Sequence, residues 1–253
     1  MDLKLKDRAV LITGAATGFG LEIARTLAEE GANIGLCART AGDVESAVRE
    51  LVGMGVKAHG EVVDITDSLA LKRWVDNAAA ALGGVDGIVI NASAGASPIT
   101  DEGWRRNFEV DMLATWHFVN LALPYLEKSP CGSIVALSST AALEKFFGPT
   151  PFAAMKAALL NYMGNLAHEL APKGIRANTV SPGPIFVEGG AWDKVRQSAP
   201  EIYQSVEAAI PLGRMGTARE VATQVALLLS PLSGFTTGAN VVIDGCYTQR
   251  IQY

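Results

Sequence analysis

The sequence predicts an α/β protein, a doubly wound parallel sheet of seven strands with helices on both faces. Seven short apolar runs alternate along the chain with segments whose apolar residues recur at helical spacing. Parallel neighbours need a crossover, and right-handed crossover helices cover both faces of such a sheet. The predicted strands are residues 8–13, 32–37, 56–63, 85–90, 133–137, 175–180 and 240–244.

The composition is that of a folded protein with a full apolar core. Of the 253 residues, 49% are hydrophobic and 19% are charged. We expect a single domain over residues 1–253, with the mixed-character stretch 184–216 as a substrate-covering flap. The net charge of −5 argues against binding to nucleic acid or to an anionic membrane. No apolar run reaches about 18 residues, so no membrane span is expected.

Cysteine usage and the N-terminus predict a cytoplasmic protein without a metal site. Cys37, Cys131 and Cys246 stand far apart and form no CxxC or Cys/His cluster. Disulfides and a zinc site are therefore not expected. The first residues enter a strand directly and carry no signal-peptide pattern.

A glycine-rich turn follows the first strand and precedes a helical pattern. Such a turn lets the backbone approach a pyrophosphate, which the positive end of the helix then stabilises. Glycine turns also make tight strand-to-helix connections, so the turn alone does not establish a dinucleotide site. The residues expected to contact a dinucleotide here are Gly14, Thr17, Gly18, Phe19 and Gly20.

The end of the second strand bears on the choice of dinucleotide. An acidic residue there would hold the adenosine ribose hydroxyls and select NAD. Ala38 occupies this place and Arg39 follows it. A guanidinium suits a 2′-phosphate, although Arg39 could also be a solvated loop residue. NADP(H) is therefore favoured, and NAD(H) stays possible.

Residues 133–156 carry the remaining motif. A buried strand ends in Ser138 and Ser139, and a helix begins at Phe152, thirteen positions after Ser139. Lys156 follows one turn later on the same helix face. With the TGxxxGxG turn, this spacing resembles the short-chain dehydrogenase/reductase family, whose pattern is Ser followed by Tyr-x-x-x-Lys. The tyrosine position reads Phe152 here.

The resemblance covers about residues 5–250 and implies a Rossmann fold. It also implies hydride transfer between a nicotinamide cofactor and a carbonyl or secondary alcohol. Ser139 would hydrogen-bond the substrate oxygen, and Lys156 would bind the nicotinamide ribose. Asp111 occupies the place of a family asparagine that helps to hold a water near the lysine.

Further cofactor contacts are implied at other strand ends. Asp64, with Ile65, corresponds to the aspartate beside the adenine ring. Asn91 opens a motif similar to the family's Asn-Asn-Ala-Gly and would line the cofactor cleft. The turn Pro182-Gly183 matches the motif near the nicotinamide carboxamide. Val187 replaces the usual threonine, so its contact must come from the backbone.

Phe152 has no hydroxyl with which to exchange a proton, and a positioned acid or base typically contributes about 10²–10⁴ in rate. Three interpretations stay open. The first is an engineered Tyr→Phe substitution, favoured because the other motifs are retained. The second is a natural non-catalytic homologue that binds a dinucleotide as a sensor or scaffold. The third is a working enzyme in which a water held by Ser139, Lys156 and Asp111 donates the proton.

A homotetramer or homodimer is expected, because the helix 152–170 is apolar around much of its circumference. One face can pack on the sheet and the other on a second subunit, although the flap could cover it instead. The tail 250–253 is predicted to pack across a subunit boundary. The resemblance implies a small-molecule carbonyl or alcohol as the substrate, and the apolar flap suggests that its body is hydrophobic or cyclic.

Overall fold

The computed structural model describes residues 2–251. Of the predicted C-terminal contact segment, Gln252 and Tyr253 lie outside the described residues. No helix among the described residues has the length and apolar character needed to cross a lipid bilayer. Nor does this part of the chain gather three or more His, Cys, Asp or Glu side chains in a group able to hold a metal ion.

The described chain forms a parallel sheet of seven strands, so the predicted fold class is confirmed. Its strand order is β3-β2-β1-β4-β5-β6-β9, and a separate two-stranded sheet pairs β7 with β8. The strands are β1 (Ala9–Thr13), β2 (Asn33–Ala38), β3 (Ala58–Val62), β4 (Gly87–Ile90), β5 (Ser133–Leu137), β6 (Arg176–Pro182), β7 (Ile185–Phe186), β8 (Gly216–Thr217) and β9 (Asn240–Ile243).

Helices cover both faces of the sheet. They are α1 (Gly18–Glu29), α2 (Ala41–Gly53), α3 (Ser68–Leu82), α4 (Asp101–Asn107), α5 (Ala114–Leu126), α6 (Pro151–Leu170), α7 (Ala191–Ser198), α8 (Pro200–Ala208) and α9 (Ala218–Leu229). One core packs α1, α2 and α9 on one face, and the other packs α3, α5 and α6 on the opposite face. Alternate residues of β1 pack into the two cores. Val10 and Ile12 belong to the first core, and Ala9 and Leu11 belong to the second.

The strand order reverses beside β1, which pairs with β2 on one side and with β4 on the other. Chain segments leaving β1 and β4 therefore diverge to opposite faces and open a crevice at the carboxyl edge. The glycine turn follows β1, Arg39 follows β2 and Asn91 follows β4. The topology thus brings these sequence-distant residues to one edge.

The sequence predicts one long helix over about residues 104–127, but the structure divides this stretch into separate segments. Helix α4 begins earlier, at Asp101, where the hydroxyl of Thr100 accepts a hydrogen bond from the Gly103 amide at 3.2 Å. A π-helical turn, Phe108–Leu113, then separates α4 from α5. The wider π turn carries an additional residue, which changes the direction of the side chains that follow. Asp111 lies in this turn and is buried.

The segment predicted as a flap contains β7, α7, α8 and β8. Its small apolar core consists of Val206, Ile210 and Met215. Half-buried aromatic side chains pack around this core, namely Phe186, Trp192, Tyr203 and Tyr247. The guanidinium of Arg196 lies over the Phe186 ring, 4.6 Å from its centroid.

Candidate active site

The glycine turn after β1 takes a backbone path that requires glycine. Gly14 and Gly18 have φ angles of +65° and +58°, in the left-handed region. A methyl group on Gly20 would lie 2.4 Å from the Gly14 carbonyl oxygen, so no larger residue fits there. Thr17 precedes α1 in extended conformation and makes no side-chain cap. The first amides of α1 therefore have no side-chain acceptor and are available to an anion.

Asn91 fixes the turn to the neighbouring strand. Its side-chain amide donates to the carbonyl oxygens of Thr13 and Gly14, at 3.0 and 2.9 Å. The Thr13 hydroxyl oxygen in turn accepts from the amides of Asn91 and Ala92, both at 3.2 Å. These bonds hold the ends of β1 and β4 in one arrangement at the base of the crevice.

A cleft of about 410 Å³ opens above this base. It brings together eight of the residues predicted to bind a dinucleotide, which are Gly14, Thr17, Phe19, Gly20, Arg39, Asp64, Ile65 and Asn91. Gly18 is exposed in the same turn but does not line the cleft. The cleft has the features that the adenosine and pyrophosphate half of a dinucleotide needs: uncapped helix amides, two glycines that allow a close backbone approach, and arginine side chains in the lining.

Asp64 forms part of this cleft beside two arginines. Hydrogen bonds from the Thr66 amide and hydroxyl, at 3.0 and 2.8 Å, hold the pKa of the Asp64 carboxyl below its ordinary value. The positive charges of Arg39 and Arg106 act in the same direction through space. Arg106, on α4, was missed in the sequence. It lies one turn before Val110, which also lines the cleft, and no sequence pattern marked either residue.

The serine and the aromatic residue of the predicted centre lie at the ends of β5 and α6. Ser139 is half-buried and its hydroxyl oxygen accepts a hydrogen bond from the Ala141 amide at 3.1 Å. Its hydroxyl proton remains available to an acceptor. Phe152 stands in the first turn of α6, and its ring centroid lies 5.8 Å from Lys156 Nζ. The ring and the ammonium are thus within reach of a cation–π contact.

Lys156 and Asp111 form a buried ion pair. Lys156 Nζ donates to the Leu137 carbonyl oxygen at 2.9 Å and lies 3.2 Å from Asp111 Oδ1. The direction of this second contact lies outside the range of a hydrogen bond, so its attraction is chiefly Coulombic. The side chains are only 4% and 0% exposed. The π turn and α6 therefore bring two of the predicted catalytic residues together.

Asn107 completes the environment of Asp111 and was also missed in the sequence. Its side-chain amide donates to Asp111 Oδ2 at 2.9 Å and to the Gly95 carbonyl oxygen at 3.1 Å. The Ala94 amide donates to the same Asp111 oxygen at 3.3 Å. Asn107 thereby joins the loop after β4 to the buried ion pair. Its position four residues before Asp111 offered a weak sequence signal.

The turn after β6 lies outside the described cleft. The Gly183 amide donates to the Ile243 carbonyl oxygen at 2.9 Å, and a methyl group on Gly183 would lie 2.5 Å from Asp244 Cβ. Pro182 ends β6 in a buried position. Val187 follows β7, and its carbonyl oxygen accepts from the Gly190 amide at 2.9 Å. Lys156, like these three residues, does not line the cleft.

Comparison with known proteins matches nearly the whole chain. A family model described as enoyl-(acyl carrier protein) reductase matches residues 14–248. Isoepoxydon dehydrogenase patN of Penicillium expansum is 37% identical over 247 residues, which cover 95% of each chain. 7alpha-Hydroxysteroid dehydrogenase of Escherichia coli is 32% identical over 255 residues, covering 99% of this chain and 98% of the relative.

Solved structures match with similar completeness. The NADPH-bound short chain oxidoreductase of Pseudomonas aeruginosa, described as containing an atypical catalytic center, superposes with a TM-score of 0.89 at 28% identity. The match covers 98% of this chain and 99% of that one. A 7alpha-hydroxysteroid dehydrogenase structure that contains NADH superposes with a TM-score of 0.91 at 31% identity, over 99% of this chain and 98% of that chain.

Proposed function

The chain belongs to the short-chain dehydrogenase/reductase family, and on that basis we propose that it is an NAD(P)(H)-dependent oxidoreductase acting on a carbonyl or secondary alcohol. The main support is the carboxyl edge of the sheet, where the proposed dinucleotide cleft opens and Ser139 follows β5. Lys156 lies in the second turn of α6. The relatives named as dehydrogenases support the reaction class.

The residues present fit a bound dinucleotide. The glycine turn from Gly14 to Gly20 would hold the pyrophosphate on the uncapped amides of α1. Asp64 and Ile65 would contact the adenine, and Asn91 would support the cleft floor. We assign Lys156 to the nicotinamide ribose. Pro182, Gly183 and Val187 are assigned to the nicotinamide carboxamide.

The nicotinamide, when bound, supplies or accepts the hydride. Ser139 would donate its free hydroxyl proton in a hydrogen bond to the substrate oxygen and so favour charge that develops there. The Lys156 ammonium has three N–H groups, of which the Leu137 carbonyl occupies one. Asp111 offsets its charge in the buried site, and the remaining donors can serve a ribose hydroxyl.

Proton exchange is the step that this chain performs poorly in our proposal. A phenyl ring carries no exchangeable proton, so Phe152 cannot take the part of the family's tyrosine. The missing acid corresponds to about 10²–10⁴ in rate. Cofactor binding is retained, because the cleft residues do not depend on the hydroxyl. We interpret the chain as a Tyr→Phe form of a working reductase.

A second candidate is a natural, non-catalytic homologue that binds a dinucleotide as a sensor or scaffold. The replacement of the family asparagine by Asp111 favours it, because Asp111 is buried and paired rather than incidental. The Pseudomonas aeruginosa protein, with its atypical catalytic center, binds NADPH. This candidate expects cofactor binding and no gain in activity when a hydroxyl is added at Phe152.

NADP(H) is the proposed cofactor because the end of β2 presents a guanidinium and no carboxylate. Arg39 is exposed and lines the cleft. Thr40, the residue before α2, makes no side-chain cap, so the first amides of α2 are available to a phosphate at the same place. Asp43 also lines the cleft and opposes this preference to some extent. NAD(H) binding at lower affinity is compatible with the same residues.

We also propose a homodimer or homotetramer in the cytoplasm. Tyr162, Leu160 and Leu166 of α6 are half-buried in the single chain, and Trp116 of the adjacent α5 is 50% exposed. A second subunit would cover these apolar surfaces.

The experiment that tests the proposed function measures binding of NADPH and NADH to the purified protein, with turnover on a panel of ketones and secondary alcohols. We expect micromolar binding with slow turnover on at least one accepted compound. A protein that binds neither dinucleotide would contradict both the reductase and the sensor.

A further inference from the structure

Arg106 lines the same cleft as Arg39. It lies on α4, one turn before Val110, and both side chains line the cleft. Arg39 approaches from the segment between β2 and α2. The two arginines therefore come from elements on either side of the place between β1 and β4 where the strand order reverses. Arg105, the neighbour of Arg106, is exposed but does not line the cleft.

Neither guanidinium has an acidic partner within the part of the chain that the structure describes. Glu102, one turn before Arg106 on α4, does not pair with it. The charges of both arginines lower the pKa of Asp64 through space, but neither arginine forms a salt bridge with it. Asp64 Oδ1 already accepts two hydrogen bonds from Thr66. Most other arginines of the chain bond a carboxylate or a carbonyl, so two free guanidiniums in one cleft form a distinct arrangement.

We propose that Arg106 is a second specificity-determining residue, which together with Arg39 receives the adenosine 2′-phosphate of NADP(H). This inference rests on the proposed function and extends it to a residue outside the β2 end. A phosphate monoester carries a charge of about −1.5 to −2 at neutral pH, more than one guanidinium neutralises. The cleft also contains Asp43 and Asp64, which repel a phosphate. A second cation offsets these carboxylates.

The geometry of arginine adds selectivity to this charge. Each guanidinium presents a planar set of donors that matches two phosphate oxygens, and a ribose hydroxyl offers no comparable partner. NADH lacks the phosphate and gains little from either arginine. The pair therefore discriminates between the two cofactors instead of strengthening both.

The test compares Arg106→Ala with Arg105→Ala, which removes the same charge from α4 outside the cleft. The probes are 2′,5′-ADP and 5′-AMP, which differ in phosphate content and need no nicotinamide site, followed by NADPH and NADH. Calorimetric titration measures each dissociation constant, and circular dichroism checks the fold. For Arg106→Ala we expect 2′,5′-ADP and NADPH to bind about tenfold more weakly. Binding of 5′-AMP and NADH should change less than twofold, and Arg105→Ala should leave all four probes within twofold.

The double variant Arg39→Ala/Arg106→Ala shows whether the arginines act on one group. If both contact the same phosphate, the double variant should bind NADPH and NADH with nearly equal affinity. If Arg106→Ala weakens the binding of NADPH and NADH equally, the inference is overturned, because Arg106 would then contact a part of the dinucleotide that both cofactors share. No weakening at all would overturn it too. If the unsubstituted protein binds neither cofactor, the proposed function itself fails.

Discussion

Lys156 Nζ lies 3.2 Å from Asp111 Oδ1, and both side chains are almost fully enclosed. The pair joins α6 to the π turn that follows α4. A buried ion pair costs desolvation energy, and it is tolerated because each charge has further partners. Here the ammonium also donates to Leu137, and the carboxylate accepts from Asn107 and Ala94. Asp111 is therefore held in place by the same contacts that connect α6, the π turn and the loop after β4.

Asp111→Ala should destabilise the protein strongly, because Lys156 would be left buried without its counter-charge. We expect the free energy of unfolding to fall by about 3–5 kcal/mol, measured by urea denaturation. Glu45→Ala is the matched control, since it breaks the exposed Glu45–Arg49 pair of α2 and should cost under about 1 kcal/mol. A loss below about 1 kcal/mol for Asp111→Ala would show that the pair contributes little.

Gly20→Ala should disrupt the dinucleotide cleft. The added methyl group would lie 2.4 Å from the Gly14 carbonyl oxygen and 2.6 Å from the Asn91 amide nitrogen, so the turn must shift. We expect NADPH affinity to fall about tenfold or more. Gly53→Ala is the control, because a methyl group at that end of α2 meets no atom within 4 Å. Unchanged NADPH affinity in Gly20→Ala would contradict the assigned role of the turn.

Arg39→Ala should narrow the difference in affinity between NADPH and NADH. A charge-assisted contact to the 2′-phosphate corresponds to about tenfold in the NADPH dissociation constant, and NADH should hardly change. Arg49→Ala removes an equal charge from the exposed face of α2 and should leave the ratio unaltered. Fluorescence titration of both cofactors measures it. Equal affinity of the unsubstituted protein for the two cofactors would refute the preference.

The apolar surface of α5 and α6 should lie in a subunit interface. Light scattering at micromolar concentration should give the mass of a dimer or tetramer. Trp116→Arg introduces a charge on an aromatic side chain that is 50% exposed in the single chain, and it should shift the mass toward the monomer. Phe235→Arg, at a fully exposed aromatic residue elsewhere, is the comparison variant. A monomeric mass for the unsubstituted protein would rule out this assembly.

Sequence patterns predicted the sheet well, because the central strands β1, β4 and β5 are short apolar runs and helical segments separate the strands of the sheet. The N-cap of α3 likewise depends on local chemistry. The Asp67 carboxylate accepts from the amides of Leu69 and Ala70, both at 3.0 Å. These features depend on residues close together in sequence, where the physical rules act locally.

The interrupted helix could be predicted only in part. Thr100, followed by two acidic residues, is a recognisable helix start that the apolar pattern obscured. The π turn leaves no comparable mark in the sequence. One additional residue in a single turn shifts the apolar spacing too little to be distinguished from an ordinary 3.6-residue helical pattern. The contact of Asp111 with Lys156 and the cleft position of Arg106 both follow from the path of this helix. They required three-dimensional structure.

Turnover by the Phe152→Tyr variant, measured beside that of the unsubstituted protein, decides whether the missing hydroxyl limits proton exchange. The tyrosine hydroxyl should restore the missing acid without disturbing the cleft. Turnover on an accepted ketone should therefore rise by about 10²-fold or more, while the affinity for NADPH barely changes. Ser139→Ala in the Phe152→Tyr protein should remove most of that gain. High activity before the substitution would indicate a water relay. A Phe152→Tyr protein that binds NADPH yet reduces nothing on a broad panel would contradict the reductase account.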